Sequence, residues 1–143
     1  MKNTFQFLGK KIVSLFLVIC MMLTLLPGTA LAASNIFTDA KFLAAVRTAL
    51  GKDVSDPIYD TDVAPVTILN VSGESIESLA GIAHFTALTT LNCSLNWLEE
   101  LPAELPAGLT NLDCSNNSLT ALTALTALPT GLQYLDCGSN DLT

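Results

Sequence analysis

The sequence predicts an α/β solenoid, in which short parallel strands stack from unit to unit behind a helical N-terminal cap. Three observations lead there. The phrases LTTLNCSLNWL (88–98), LTNLDCSNNSL (109–119) and LQYLDCGSNDL (132–142) repeat one eleven-residue pattern, with cysteine sixth each time. Units start at Val66, Leu88, Leu109 and Leu132, at spacings of 22, 21 and 23 residues. Ahead of them, IFTDAKFLAAVRTALG carries helical rather than strand spacing.

Residues 1–32 read as an export signal. Lys2, Lys10 and Lys11 precede a mostly apolar run of 15 residues, Ile12 to Leu26. Pro27 and Gly28 break it, and Ala30-Leu31-Ala32 supplies the small-x-small pattern of a signal peptidase site. As a helix the run spans about 22 Å, short of the ~30 Å hydrocarbon core, so cleavage after Ala32 is preferred to a permanent anchor. Cys20 follows Ile19 inside the run, which does not suit lipid attachment. The expected product is secreted or held at the cell surface. Its thirteen acidic residues face only Lys41, Arg47 and Lys52, a net charge of −10. Such a surface repels phosphate backbones and disfavours nucleic-acid partners.

Residues 33–65 read as a helical cap. Thr38 or Asp39 caps a helix whose apolar Phe42, Leu43, Val46 and Leu50 recur at i, i+3/i+4, and Gly51 ends it. Asp60 or Thr61 starts a second short turn before the first strand. Asp60-Thr61-Asp62 opens like a calcium loop, but Ala64 and Pro65 stand where the next ligand and the glycine belong. Turn and cap roles remain for these aspartates. No metal or cofactor is implied.

Residues 66–143 read as four repeats, the last incomplete. Each starts apolar-x-x-Leu-x-apolar. Asn96, Asn117 and Asn140 fall eight positions after their starts, with Glu74 in the first unit. Ile76, Leu98, Leu119 and Leu142 fall ten after. This is the leucine-rich repeat consensus. One such strand cannot bury its leucines alone, whereas stacked copies shelter one another. The asparagine amide serves backbone groups freed where the strand bends away, each costing about 1–3 kcal/mol if left unpaired in the interior. Pro102, Pro106 and Pro129 favour extended, non-helical returns.

Cys93, Cys114 and Cys137 occupy the same place in successive units, where Val71 stands in the first. Neighbouring strands lie about 4.8 Å apart, within the roughly 4.4–6.8 Å a disulfide accepts. Parallel in-register side chains oppose the ~90° torsion of the bond. A zinc site wants four ligands, and His84, the only histidine, lies outside the row. Buried free thiols are therefore expected ahead of one bridge, and a bridge ahead of a metal.

Candidate chemistry is sparse. His84 reads as an outer loop residue, no serine sits in a G-x-S-x-G setting, and Glu99-Glu100 reads as a solvated edge. Trp97 is expected packed or partly exposed at the strand exit. No enzyme is predicted. Strand alternation points Ile68, Asn70 and Ser72 outward, then Thr90, Asn92 and Ser94, then Asn111, Asp113 and Ser115, then Tyr134, Asp136 and Gly138. The candidate binding face comprises Asn70, Asn92, Asn111, Asp113, Tyr134 and Asp136, with Tyr134 its aromatic anchor.

Taken together, residues 36–143 resemble bacterial secreted leucine-rich repeat proteins of the internalin-like kind. IFTDAKFLAAVRTALG is similar to the helical cap, and VTILNVSGESIESLAGIAHFTALTTLN to the first repeats. LPAELPAGLTNLDCSNN resembles the proline-containing repeats of secreted bacterial effectors. The resemblance implies protein–protein recognition, often adhesion, through the concave strand face. The alternative is a non-catalytic targeting fragment of a larger secreted enzyme, or a truncated remnant. The sequence stops at NDLT, within a repeat, which predicts a fragment or an edge covered by a partner, self-association included.

Overall fold

The computed structural model describes residues 36–121 and 128–143; the export signal and its cleavage point lie outside them. In order come helix α1 (Ala40–Leu50), the one-turn helix α2 (Asp60–Val63) and strand β1 (Ile68–Asn70). A 3₁₀ turn (Ile82–His84) precedes β2 (Thr90–Asn92), β3 (Asn111–Asp113) and β4 (Tyr134–Asp136). The strands form one parallel sheet in chain order, β1-β2-β3-β4. Leu69, Leu91, Leu112 and Leu135 are in register across it. This is a leucine-rich repeat solenoid with a helical cap. No helix among the described residues is long and apolar enough to cross a membrane.

Helix α1 starts and stops where its sequence says. Asp39 caps it, its carboxylate accepting from the N–H groups of Lys41 (2.7 Å) and Phe42 (3.0 Å). Gly51 ends it in the left-handed region at φ 64°, where a side chain would be strained. The buried face, Phe42, Ala45 and Val46, packs over the first repeat. Phe37 joins the two parts, edge-on to both Phe42 (5.3 Å) and Phe85 (6.3 Å). Gly81 lets it in, since a Cβ there would lie 2.8 Å from the Ile36 carbonyl oxygen and 2.9 Å from the Phe37 ring.

Each repeat makes the same sequence of bonds. The return ends in a turn whose carbonyl accepts from the first residue of the next unit: Phe85 from Leu88, Pro106 from Leu109 and Pro129 from Leu132, all at 3.0 Å. Pro106 and Pro129 thus sit at turns rather than inside helices, where the missing N–H and the ring clash would break the helix. Inside, like residues stack. Leu69, Leu91 and Leu112 form one buried row, Ile76, Leu98 and Leu119 another, and Val71, Cys93 and Cys114 a third. Each fully buried leucine contributes about 1.5–3 kcal/mol, and none could do so without the neighbouring unit. In the last unit Leu132, Leu135, Cys137 and Leu142 are only half-buried.

Candidate functional site

The strand face presents its side chains in two rows set by the register. Ile68, Thr90, Asn111 and Tyr134 form one, and Asn70, Asn92, Asp113 and Asp136 the other. All six candidate binding residues therefore share one face. Asn70, Asn111 and Tyr134 are exposed, while Asn92, Asp113 and Asp136 are half-buried. Ile68 and Tyr134 stand out as large apolar side chains left 67% and 51% exposed at opposite ends of one row.

Four of the six also have a structural task that outward alternation does not reveal. An Oδ1 atom of Asn70, Asn92, Asp113 and Asp136 accepts from the backbone N–H two residues on, at Ser72 (3.1 Å), Ser94 (3.0 Å), Ser115 (3.0 Å) and Gly138 (2.9 Å). These Asx turns bend the chain out of the sheet. The Ser94 and Ser115 hydroxyls donate to the same atoms at 2.7 Å. Both serines are consequently buried, not outward as alternation suggests. What the face keeps for a ligand is Asn111, Tyr134, Ile68 and the second carboxylate oxygens of Asp113 and Asp136.

Just past the turns the chain adopts a left-handed residue in every unit. These are Gly73 (φ 75°), Leu95 (57°), Asn116 (54°) and Ser139 (55°). In the last three units this flip is followed by the inward-facing asparagine. Asn96 Oδ1 accepts from the N–H of Glu74 (3.1 Å) and Ile76 (3.0 Å), and its Nδ2 donates to the carbonyls of Val71 (2.8 Å) and Cys93 (3.0 Å). Asn117 accepts from Leu98 N–H (3.1 Å) and donates to Cys93 and Cys114. Asn140 accepts from Leu119 N–H (3.0 Å) and donates to Cys114 and Cys137.

The three cysteines stack as free thiols, two buried and Cys137 half-buried. Cys93 Sγ donates to the Asp113 carbonyl at 3.4 Å. Burial, with Cys114 and Asp113 nearby, pushes the Cys93 thiol far up. Burial, with Cys137, Asp113 and Asp136 adding to it, raises Cys114 to about 12. Both are inert fillers in the folded chain. Among the described residues no group of three or more His, Cys, Asp or Glu is placed to hold a metal ion.

Hollows also lie beside the strand face among the described residues. His84 Nδ1 meets Asp60 Oδ1 at 3.2 Å beside a hollow of about 350 Å³, which Glu104 and Thr86 also line. A larger cleft of about 870 Å³ lies where the chain leaves the sheet, bounded by Trp97, Glu77, Glu99, Glu100 and Ser118. The sequence offered the Glu99-Glu100 pair and Trp97 separately. It gave no sign that Glu77, one repeat earlier, joins them.

The solved structure of an internalin, InlF, from Listeria monocytogenes matches 82% of this chain with a TM-score of 0.73 and 30% identity. The fold is that of an internalin-like leucine-rich repeat protein. A functional domain of InlJ from the same organism, which includes a cysteine ladder, matches 78% of the chain at a TM-score of 0.56 and 28% identity. Internalin C2, also from Listeria monocytogenes, matches 78% at 0.54 and 22% identity, a likeness of fold alone. This chain spans 35% of the InlF chain, 29% of that of InlJ and 70% of that of internalin C2. Nephrocan of Mus musculus is 47% identical over 47 residues, which is 33% of this chain and 9% of nephrocan. No family model matches the sequence. The internalin-like sheet thus offers a protein-binding scaffold in general terms.

Proposed function

We propose that the internalin-like chain is exported and binds a protein partner outside the cell or at its surface, through the concave strand face. The observation that carries this is the pair Ile68 and Tyr134. A merely solvated face gains nothing from two large apolar side chains held in the open, whereas an interface uses such anchors inside a polar rim. Four strands give a strip only about 15 Å wide, small beside the about 800 Å² each partner buries in a standard complex. A moderate affinity follows, strengthened where further repeats widen the strip. The N-terminal basic and apolar pattern supports export, and the internalin likeness supports an extracellular site.

The test is capture of one identified surface protein by the parent chain, by Tyr134→Ala and by Asn111→Lys. Both variants should weaken capture at least tenfold, while Thr61→Ala on the cap leaves it unchanged. Equal capture by all four chains would remove the strand face as the contact. Sequencing the N-terminus of secreted material tests export, with residue 33 expected first.

A further inference from the structure

We propose that the cleft beside Trp97 is a second recognition site, separate from the strand face, and that it takes an arginine-bearing basic segment of a partner protein. The site is built from three successive repeats. Trp97 is 60% exposed although its neighbours Asn96 and Leu98 are buried. Its backbone is fixed by the Trp97 N–H donating to the Ile76 carbonyl at 2.9 Å. Equivalent positions in the adjoining units hold Ser75 and Ser118, nine residues after their starts. The indole stands between two small serines, largely exposed, and Ser118 lines the cleft beside it.

The walls supply charge. Glu77 and Glu99 stand eleven residues after their repeat starts, Glu100 one later, and all three are exposed and border the cleft. None of them pairs with a cation among the described residues, where Lys52 is engaged by Asp62 at 2.9 Å and His84 by Asp60. The far wall is rigid, because Asp39 Oδ2 accepts from the N–H groups of Glu77 (2.7 Å) and Ser78 (2.9 Å). An open indole face with unpaired carboxylates around it suits a planar cation. A guanidinium stacks on the ring by cation–π attraction and reaches two carboxylates through its fork of N–H donors. Phosphate, carboxylate and apolar ligands are each opposed by the three glutamates.

Trp97 is the sole tryptophan, so its emission reports this cleft alone. In the free protein it should be solvent-like and freely quenched by acrylamide; a blue-shifted, protected signal would mean the cleft is already covered and overturn the proposal. A capped hexa-arginine peptide should change the emission saturably at low salt, and hexacitrulline, uncharged but equal in shape, should not. By anisotropy of labelled peptide, Trp97→Ala and the pair Glu99→Gln/Glu100→Gln should each weaken binding tenfold or more. The pair Asp53→Asn/Glu104→Gln removes equal charge elsewhere and should stay within twofold. Equal weakening by that control pair, or binding of hexacitrulline, would reduce the effect to general attraction and refute a site. Tyr134→Ala, which changes no charge, should leave peptide binding within twofold, which separates failure here from failure of the strand-face reading.

Discussion

Replacing the ladder asparagines by alanine should cost stability in a fixed order, and the order can be worked out bond by bond. In Asn96→Ala the Ile76 N–H loses its acceptor and the Val71 carbonyl loses its donor, both in the buried core. The Cys93 carbonyl keeps a bond from Asn117, the Ser94 carbonyl keeps one from Gly73 N–H, and Glu74 N–H is at the surface. Two buried groups are thus orphaned, at about 1–3 kcal/mol each, or about 2–6 kcal/mol in all. In Asn117→Ala only Leu98 N–H is orphaned, because Cys93 still bonds Asn96 and Cys114 still bonds Asn140. That predicts about 1–3 kcal/mol. Asn140→Ala releases the Leu119 N–H of the third unit and the Cys137 carbonyl of the half-buried last unit, but both bonds are part-buried rather than buried, so water replaces part of what is lost. It should cost least. Set against a typical domain stability of about 5–15 kcal/mol, Asn96→Ala alone approaches unfolding. Urea denaturation of residues 33–143, followed in parallel by far-ultraviolet dichroism and Trp97 emission, measures the order. Asn117→Ala as costly as Asn96→Ala would show that the ladder acts by something other than counted orphan groups.

Three further outcomes follow from single residues. Burial pushes the Asp39 carboxyl up, but four backbone N–H donors outweigh it and leave the group below its ordinary 3.8. Asp62 also ends below that value, burial raising it and Lys52 and Tyr59 N–H lowering it further. A depressed folded value stabilises above 3.8 and loses its contribution as pH falls through the folded value, so an acid titration by dichroism should show less loss for Asp39→Asn, which still caps α1. A larger loss would refute the sign. Thiol titration of denatured, unreduced residues 33–143 should count three groups, whereas the native chain should react promptly at half-buried Cys137 only. A count of one would mean a bridge. Leu95 is a bulky residue held at φ 57° and 61% exposed. Leu95→Asn, matching Asn116 in the next unit, should therefore stabilise by up to about 1 kcal/mol in the urea assay; a loss would show that the leucine makes packing worth more than the strain.

The repeat architecture was legible because stacking leaves a period in the sequence. A leucine serving the core at Leu91 serves it again at Leu112, so burial is written at fixed intervals. The cap was equally readable, since Asp39 and Gly51 carry local backbone roles that depend on few distant residues. Two features escaped for one physical reason. The Asx turns at Asn92 and Asp113 use polar side chains that alternation alone assigns to solvent, and the turn in turn buries Ser94 and Ser115. The left-handed position carries glycine, leucine, asparagine and serine in successive units. Composition there has no pattern because the turn of the backbone out of the sheet, repeated in every unit and followed by Glu74 in the first and by a ladder asparagine in the others, sets the conformation rather than the residue itself.

The Trp97 cleft shows what a period hides. In a solenoid, equivalent positions recur at the same place in successive turns, so function enters where one unit departs from its neighbours. In the row Ser75, Trp97, Ser118, Asp141 the second unit alone carries an aromatic, and that indole lines the cleft. On the strand face the same logic picks out Tyr134, set beside Asn111 where a flat polar row would continue. The two surfaces differ in what they ask of a partner. The strand face offers apolar anchors with mild negative charge, whereas the Trp97 edge offers three carboxylates, without a cationic partner among the described residues, bordering the same cleft as the indole. A partner engaging both would present a basic segment alongside its main contact, and its affinity would fall with salt more steeply than the strand face alone requires.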